Sequence, residues 1–315
     1  MPLDPKCKIL LDVLSPPGAR RLEESSVAEA REMMDRLAAM RAGGEVPAYP
    51  GTIRDRQIPG PHGPIPVRIY APESRGPHPL LAYFHGGGWV LGSVATADVA
   101  CRALAAATGC VLVSVDYRLA PEHEFPVPLD DCTAAVRWLA EHAAEVDADP
   151  ARIAVGGDSA GGNLSAAVAL RLRDEGGPRL AHQMLVYPVT DASFETRSYR
   201  ENGEGYFLTR AGMEWFWNHY LPGPADAANP LASPLRAPDL RGLPPATVIT
   251  AEFDPLRDEG EAYAERLREA GVPVRLTRYD GVIHGFFGMV DTLDQADEAI
   301  REAAAALRAS FGTAA

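Results

Sequence analysis

Lysine is almost absent from this chain. Among its 315 residues only Lys6 and Lys8 occur, and both lie in the first ten residues, before any recognisable folded segment. Schiff-base enzymes, pyridoxal-phosphate enzymes and Ser–Lys dyads all need a lysine inside the active site. A Walker A loop carries one in its glycine-rich turn. The sequence therefore excludes these classes.

The chain also has little positive charge overall. Thirty Lys and Arg residues stand against 43 Asp and Glu residues, which gives a formal net charge of -13 at pH 7. An acidic surface repels phosphate backbones and anionic lipid headgroups. We therefore expect no nucleic-acid partner and no membrane partner.

Long hydrophobic runs are missing as well. No apolar stretch approaches the roughly 20 residues needed to cross a bilayer. The short apolar run at residues 9–11 is bracketed by Asp4 and Asp12, and no small-residue cleavage site follows it, unlike in a signal peptide. These observations favour a soluble, cytoplasmic protein.

Cysteine is scarce and shows no metal-binding pattern. Cys7, Cys101, Cys110 and Cys132 form no C-x-x-C pair and have no histidine at ligand spacing. A thiol in an apolar segment behaves as a small hydrophobic residue. We expect four reduced core cysteines, which suits a reducing compartment, and no metal site.

Short β-rich runs alternate with helical patterns from residue 52 onward. The runs are 67–70, 80–84, 110–115, 153–155, 184–187, 247–250 and 274–279, and the helical patterns cover about 94–107, 127–145, 160–175, 257–270 and 291–309. Several runs are continuously apolar, as strands covered on both faces must be. The alternation predicts an α/β fold with a mostly parallel sheet and helices on both faces.

Two segments fall outside this alternation. Residues 22–42 have the spacing of an amphipathic helix, and residues 190–242 carry an aromatic-rich helical pattern followed by a proline-rich stretch. We expect them to form a lid over the fold. The predicted division is an N-terminal part of the cap (1–50), a catalytic core (51–189), a cap insertion (190–242) and the continued core (243–315).

The segment RIAVGGDSAGG (152–162) contains the pattern G-x-S-x-G, with Gly157, Ser159 and Gly161. An apolar strand precedes it and a helical pattern follows, which is the strand–turn–helix context of a nucleophilic serine. A nucleotide loop is the alternative. It fails because the lysine of a Walker loop and the second glycine of a dinucleotide loop are both missing. Ser159 is therefore the predicted nucleophile.

A run of three glycines follows another strand, in the sequence FHGGGW (84–89). Glycines leave backbone N–H groups unobstructed, so such a loop can supply half of an oxyanion hole. His85 is expected to brace this loop by hydrogen bonding rather than to act as the base, because the base follows the nucleophile and the acid in chain order.

His284 and Asp254 are the predicted base and acid. His284 follows the strand run at 274–279 and precedes the last helical pattern, and Asp254 ends the run at 247–250. Asp191 also follows a strand and is the main alternative for the acid. Asp258 and Asp280 are interpreted as a helix-start and a turn carboxylate.

The order of these segments resembles a known family. HGGGW (85–89), DYRLAPEHEFP (116–126), GDSAGG (157–162), EFDPLRDEG (252–260) and IHGF (283–286) closely resemble the hormone-sensitive-lipase-like carboxylesterases, or bacterial family IV esterases. The resemblance implies an α/β-hydrolase fold with an eight-stranded, largely parallel sheet flanked by helices and bearing a helical cap. It also implies a triad of Ser159, Asp254 and His284, with Gly87, Gly88 and the Ala160 N–H as oxyanion donors.

The expected function is hydrolysis of short-to-medium-chain carboxylic esters by an acyl-enzyme mechanism that needs no cofactor. The expected partner is a small-molecule ester. The protein partner considered is a second copy of the chain, in a homodimer. The alternatives are arylesters, lactones or amides as substrates, and a non-catalytic small-ligand receptor on the same fold. Plant hormone receptors that resemble the family lack the triad histidine, whereas His284 is present here.

The pocket is predicted from residues that lie beside the expected catalytic groups in the sequence. Trp89 follows the glycine loop, Tyr187 ends a strand and Ile283 precedes the base, so these three are expected to line it. Phe207, Leu208 and Trp215 of the insertion are expected to form its roof. The alternative for these aromatic residues is that they are ordinary core.

Overall fold

The computed structural model describes residues 2–14, 18, 20–42 and 47–313. Within them, eight strands form one sheet in the order β1-β2-β4-β3-β5-β6-β7-β8. The strands are β1 (Gly51–Ile58), β2 (Ile65–Pro72), β3 (His78–Phe84), β4 (Val111–Val115), β5 (Ala148–Asp158), β6 (Leu180–Val186), β7 (Ala246–Phe253) and β8 (Val274–Ile283). β2 runs antiparallel to β1 and to β4, and the other neighbouring pairs are parallel. The predicted fold class is confirmed.

Helices connect the strands and precede the sheet. They are α1 (Pro5–Leu14), α2 (Val27–Ala42), α3 (Asp98–Thr108), α4 (Val127–Glu141), α5 (Ala160–Asp174), α6 (Arg197–Asn202), α7 (Arg210–Tyr220), α8 (Arg257–Glu269) and α9 (Asp294–Phe311). The helix predicted over 22–42 begins only at Val27, because Leu22–Glu24 forms a separate 3-10 turn. The sequence patterns predict no strand at β1 and no helix at α1 or α6.

The core has two layers, one on each face of the sheet. Along β3, Leu80, Ala82 and Phe84 point into one layer while Leu81 and Tyr83 point into the other, as the period of two in a strand requires. All seven residues of β3 are buried, which explains its continuously apolar sequence. The first layer is completed by residues of α4, α5 and α8, and the second by residues of α3 and α9.

α9 shows how the sequence period directs this packing. Its buried residues are Ala296, Ala299, Ile300, Ala303, Ala304, Leu307 and Phe311, which recur at three- and four-residue spacing. One apolar stripe therefore covers the sheet, while acidic and basic residues fill the opposite side of the helix. The four cysteines are all buried and free, as predicted.

The parallel strands bring four chain segments to one edge of the sheet. The glycine loop follows β3, Ser159 follows β5, Asp254 follows β7 and His284 follows β8. In open α/β sheets the carboxyl ends of the strands form the ligand-binding edge. Among the helices that the structure describes, none combines the length and apolar character of a membrane span.

Candidate active site

Ser159 sits on a sharp turn between β5 and α5. Its backbone has φ 56° and ψ -118°, a conformation that non-glycine residues rarely adopt. Glycines on either side make the turn possible, since a Cβ on Gly157 or Gly161 would lie 2.2 or 1.9 Å from the carbonyl oxygen of Phe84. The Ser159 N–H donates to the Val186 carbonyl at 2.9 Å, which ties the turn to β6.

His284 connects Ser159 to Asp254. Its Nε2 lies 3.0 Å from Ser159 Oγ, and its Nδ1 lies 2.7 Å from Asp254 Oδ2. The other carboxylate oxygen of Asp254 accepts a 2.9 Å hydrogen bond from the Leu256 N–H. Asp254 is 0% exposed, His284 6% and Ser159 7%, so water has little access to these hydrogen bonds. This geometry allows Ser159 to pass its proton to His284 while Asp254 holds the imidazole.

Asp191, the alternative acid, lies elsewhere in the hydrogen-bond network. Its carboxylate pairs with the Arg236 guanidinium and also accepts from the N–H of Ala192. The structure brings Asp254, not Asp191, to His284.

The glycine loop after β3 lies against the Ser159 turn. Gly87 and Gly88 have φ values of 113° and 59°, so both positions favour glycine. A Cβ on Gly88 would lie only 2.1 Å from Cδ1 of Phe216, which means that the Phe216 ring rests on this loop. Ala160, the third predicted oxyanion donor, is the first residue of α5.

Asp158 joins the glycine loop to β5 through its side chain, for which the sequence predicts no role. Its Oδ1 accepts from the Gly86 N–H at 3.1 Å and from the Tyr83 hydroxyl at 2.7 Å. Burial raises the pKa of the Asp158 carboxyl above its ordinary value. In the sequence, Asp158 is marked only by its place beside Ser159. That place does not indicate that the Asp158 side chain turns toward Gly86.

His85 is hydrogen-bonded within the loop, as the sequence interpretation has it. Its Nδ1 lies 2.8 Å from the Gly86 carbonyl oxygen, and its ring stacks on Tyr117 with the centroids 4.3 Å apart. The Tyr117 hydroxyl donates to the His85 carbonyl at 2.7 Å. Burial lowers the pKa of His85, which favours the neutral ring.

Three of the predicted pocket residues lie beside the catalytic groups in the fold. The Tyr187 ring has its centroid 4.5 Å from that of His284, and Ile283 is fully buried at the end of β8. Phe207 is 39% exposed, and its Cε1 would lie 3.7 Å from a Cβ on Gly285. Tyr187 and Phe207 both have positive φ, at 32° and 74°.

The other three pocket residues pack differently. Trp89 is 0% exposed, and its ring stacks on Tyr220 at 4.1 Å and meets Trp217 at 4.6 Å. Leu208 is buried in the same core layer, and Trp215 lies partly buried against Phe216. Trp89 therefore anchors the glycine loop to α7 through Trp217 and Tyr220. A third α7 ring, Phe216, lies against Gly88 and is not among the residues predicted from the sequence.

No group of three or more His, Cys, Asp or Glu side chains in the described part of the chain has the arrangement of a metal site.

Comparisons with known proteins agree with this geometry. A family model described as the alpha/beta hydrolase fold matches residues 81–288. The carboxylic ester hydrolase LipN of Mycobacterium tuberculosis is 43% identical, with 98% of this chain and 83% of the relative covered. The arylesterase of Saccharolobus solfataricus is 40% identical, with coverage of 94% and 95%.

Solved structures match over nearly the whole chain. A thermostable esterase from Pseudomonas putida superposes with a TM-score of 0.93 at 40% identity, covering 98% of both chains. A hyperthermophilic esterase from Pyrobaculum calidifontis also gives 0.93, at 43% identity over 98% of this chain and 99% of the other. The protein is thus an α/β hydrolase. Within that fold it belongs to the hormone-sensitive-lipase-like carboxylesterases.

Proposed function

We propose a residue-level mechanism and a substrate range for this serine carboxylic-ester hydrolase. Ser159 attacks the ester carbonyl while His284 removes the hydroxyl proton, and Asp254 fixes the imidazole tautomer and stabilises the imidazolium. The supporting observation is the buried hydrogen-bonded series from Asp254 through His284 to Ser159, at 2.7 and 3.0 Å.

The oxyanion is bound by backbone N–H groups of Gly87, Gly88 and Ala160. The positive φ angles of the two glycines and the position of Ala160 at the start of α5 support this assignment. Each such donor contributes roughly 10²–10³ in rate in other oxyanion holes. His284 then protonates the leaving alcohol, and water repeats the cycle on the acyl-enzyme, which regenerates the Ser159 hydroxyl and releases the carboxylic acid.

The cap is assigned to residues 1–50 and 190–242. Contact between the two segments supports it: the Leu22 side chain lies 3.6 Å from where a Cβ on Gly212 of α7 would be, and Arg21 pairs with Glu204 at 3.9 Å. α7 in turn packs on the glycine loop through Phe216. A cap held this closely leaves Ser159 only 7% exposed, and we infer from this that the space above the serine is small.

That small space is the reason for a preference for short-to-medium acyl chains. Tyr187, Ile283 and Phe207 are assigned to its walls, with Leu208 and Trp215 supporting them from the insertion. Apolar walls favour an acyl chain longer than acetate, and bulky rings beneath a cap limit its length. The substrate is therefore a dissolved small ester. A cytoplasmic location is the matching proposal, and four buried, free cysteines support a reducing compartment.

Initial rates with p-nitrophenyl esters of increasing chain length test this range. Butyrate and hexanoate should be cleaved with a higher kcat/KM than acetate, and laurate and palmitate should be the poorest substrates. Ser159→Ala, assayed in parallel, gives the rate that does not depend on the nucleophile. A rate that jumps when the ester forms an emulsion, or that keeps rising into the long chains, would contradict the proposal.

A further inference from the structure

Arg31 of α2 reaches across the fold to the segment that follows the oxyanion glycines. Its Nε donates to the Val90 carbonyl at 2.9 Å, over a separation of 59 residues in the chain. Its Nη2 donates to the Ala120 carbonyl, also at 2.9 Å. The same guanidinium forms a two-pronged pair with Glu122, at 2.8 and 2.7 Å.

These carbonyls are directly connected to the glycine loop. Residues 87–91 form one tight turn in which the N–H groups of Val90 and Leu91 both donate to the Gly87 carbonyl, at 3.1 and 2.8 Å. The Ala120 N–H donates to the Trp89 carbonyl at 2.9 Å. Arg31 therefore holds the turn at Val90 directly, and at Trp89 through residue Ala120, whose carbonyl accepts from Arg31 and whose N–H donates to Trp89.

The shape of a guanidinium suits this arrangement. Its planar fork satisfies two backbone carbonyls and one carboxylate at once, which the point charge of a lysine cannot do. Hydrogen bonding to Arg31 lowers the pKa of Glu122 to about 2, so this carboxylate is ionised at neutral pH. The Arg31 side chain is 29% exposed and that of Glu122 is 55% exposed. A pair this exposed adds little to the free energy of unfolding. Its main effect is to hold the Arg31 guanidinium in place against the two backbone carbonyls.

We propose that Arg31 is a positioning residue for the oxyanion hole: it fixes the turn that orients the Gly87 and Gly88 N–H groups, and so makes the catalytic rate depend on the N-terminal cap helix. The inference rests on the proposed function, which assigns those N–H groups to the oxyanion. Arg31 itself does not touch the substrate. A misplacement of about 1 Å in catalytic groups can cost up to 10²-fold in rate, which sets the scale of the expected effect.

The test compares Arg31→Ala and Arg31→Lys with a matched control, Arg36→Ala. Arg36 lies on the same helix and forms an exposed pair with Glu32 at 3.7 Å, and within residues 2–14, 18, 20–42 and 47–313 no hydrogen bond joins it to the glycine loop. For each protein, kcat and KM for p-nitrophenyl butyrate are measured per active site, together with the melting temperature. Inhibition by an alkyl trifluoromethyl ketone is measured as well, because its hemiketal adduct places an oxyanion in the hole.

Arg31→Ala should lower kcat by between about ten- and a hundredfold, with little change in KM. Its trifluoromethyl ketone inhibition should weaken by a similar factor. Arg31→Lys should fall between Arg31→Ala and the wild type, and Arg36→Ala should match the wild type.

A folded Arg31→Ala protein with wild-type kcat and inhibition would overturn the inference, even with a lowered melting temperature, because Arg31 would then only fasten the helix. A loss of kcat without a matching loss of inhibition would also overturn it. If Arg31→Ala does not fold, Arg31→Lys decides by the same two measurements. Absence of hydrolysis by the wild type would instead refute the proposed function.

Discussion

Replacement of Asp254 by Asn should nearly abolish catalysis while leaving the fold intact. The carboxylate has two fixed partners: Oδ1 accepts from the Leu256 N–H at 2.9 Å, and Oδ2 lies 2.7 Å from His284 Nδ1. In the Asn variant the amide oxygen must stay on the Leu256 N–H, so the amide NH₂ faces Nδ1. Nδ1 then has to accept a hydrogen bond, which moves the ring proton to Nε2. An Nε2 that carries a proton cannot remove one from Ser159.

A wrong tautomer of this kind costs about 10⁴ in kcat in a comparable triad, which corresponds to about 5 kcal/mol in the activation barrier. KM should change little, because Asp254 is 0% exposed and does not contact the substrate. The assay is steady-state hydrolysis of p-nitrophenyl butyrate, with the melting temperature measured on the same preparation.

The matched control is Asp191→Asn, which removes the charge that pairs Asp191 with Arg236. The Arg236 side chain is 43% exposed and that of Asp191 is 15% exposed, so losing the pair should cost about 1 kcal/mol of stability, and kcat should stay close to that of the wild type. Retention of kcat within about tenfold in Asp254→Asn, or a larger loss in Asp191→Asn, would refute the assignment of the acid.

Two further predictions concern stability. Burial lowers the pKa of His182 to about 4, so the folded state favours the neutral ring. The contribution of this neutral ring to the free energy of unfolding is complete above pH 6.5 and is lost as the pH falls from 6.5 towards 4. The difference between the pKa of His182 in the unfolded and folded states corresponds to roughly 3 kcal/mol of unfolding free energy. His182→Gln should remove that part of the pH dependence in urea unfolding. Parallel pH profiles for the wild type and the variant would contradict this prediction. Gly161→Ala should lower the free energy of unfolding by about 3 kcal/mol or more, because its Cβ would lie 1.9 Å from the Phe84 carbonyl oxygen. The control Gly109→Ala, with φ 65° and no atom within 4 Å of the new Cβ, should lower it by only about 1–2 kcal/mol in the same assay. Equal losses in the two variants would contradict the steric explanation.

The sequence was sufficient to predict those elements that are specified by residues close together in the chain. Continuous apolar runs such as β3 and the strand–turn–helix pattern around Ser159 depend on neighbours in the chain. β1 escaped prediction because it is an edge strand: only Ile58 among its residues is buried, so its segment GTIRDRQI lacks an apolar face. α1 is a ten-residue helix with Ile9 and Val13 exposed, so its apolar residues do not follow a single buried face.

Contacts between distant segments could not be predicted. Trp89 is predicted from the sequence to line the pocket, but its packing against Trp217 and Tyr220 of α7 has no signal in the sequence. Phe216 stands among several aromatic residues, and only the docking of α7 decides which ring meets Gly88. Arg31 has no signal in the sequence, because its partners lie 59 to 91 residues away.

Mapping where a fluorophosphonate binds covalently tests most directly whether Ser159 is the nucleophile. We expect one adduct per chain, on the peptide that contains Ser159, with complete loss of ester hydrolysis when the label is stoichiometric. The wild type and Ser159→Ala are treated side by side and digested for mass spectrometry. Label on Ser114 or Ser165, or hydrolysis that survives in Ser159→Ala, would contradict the assignment of Ser159 as the nucleophile.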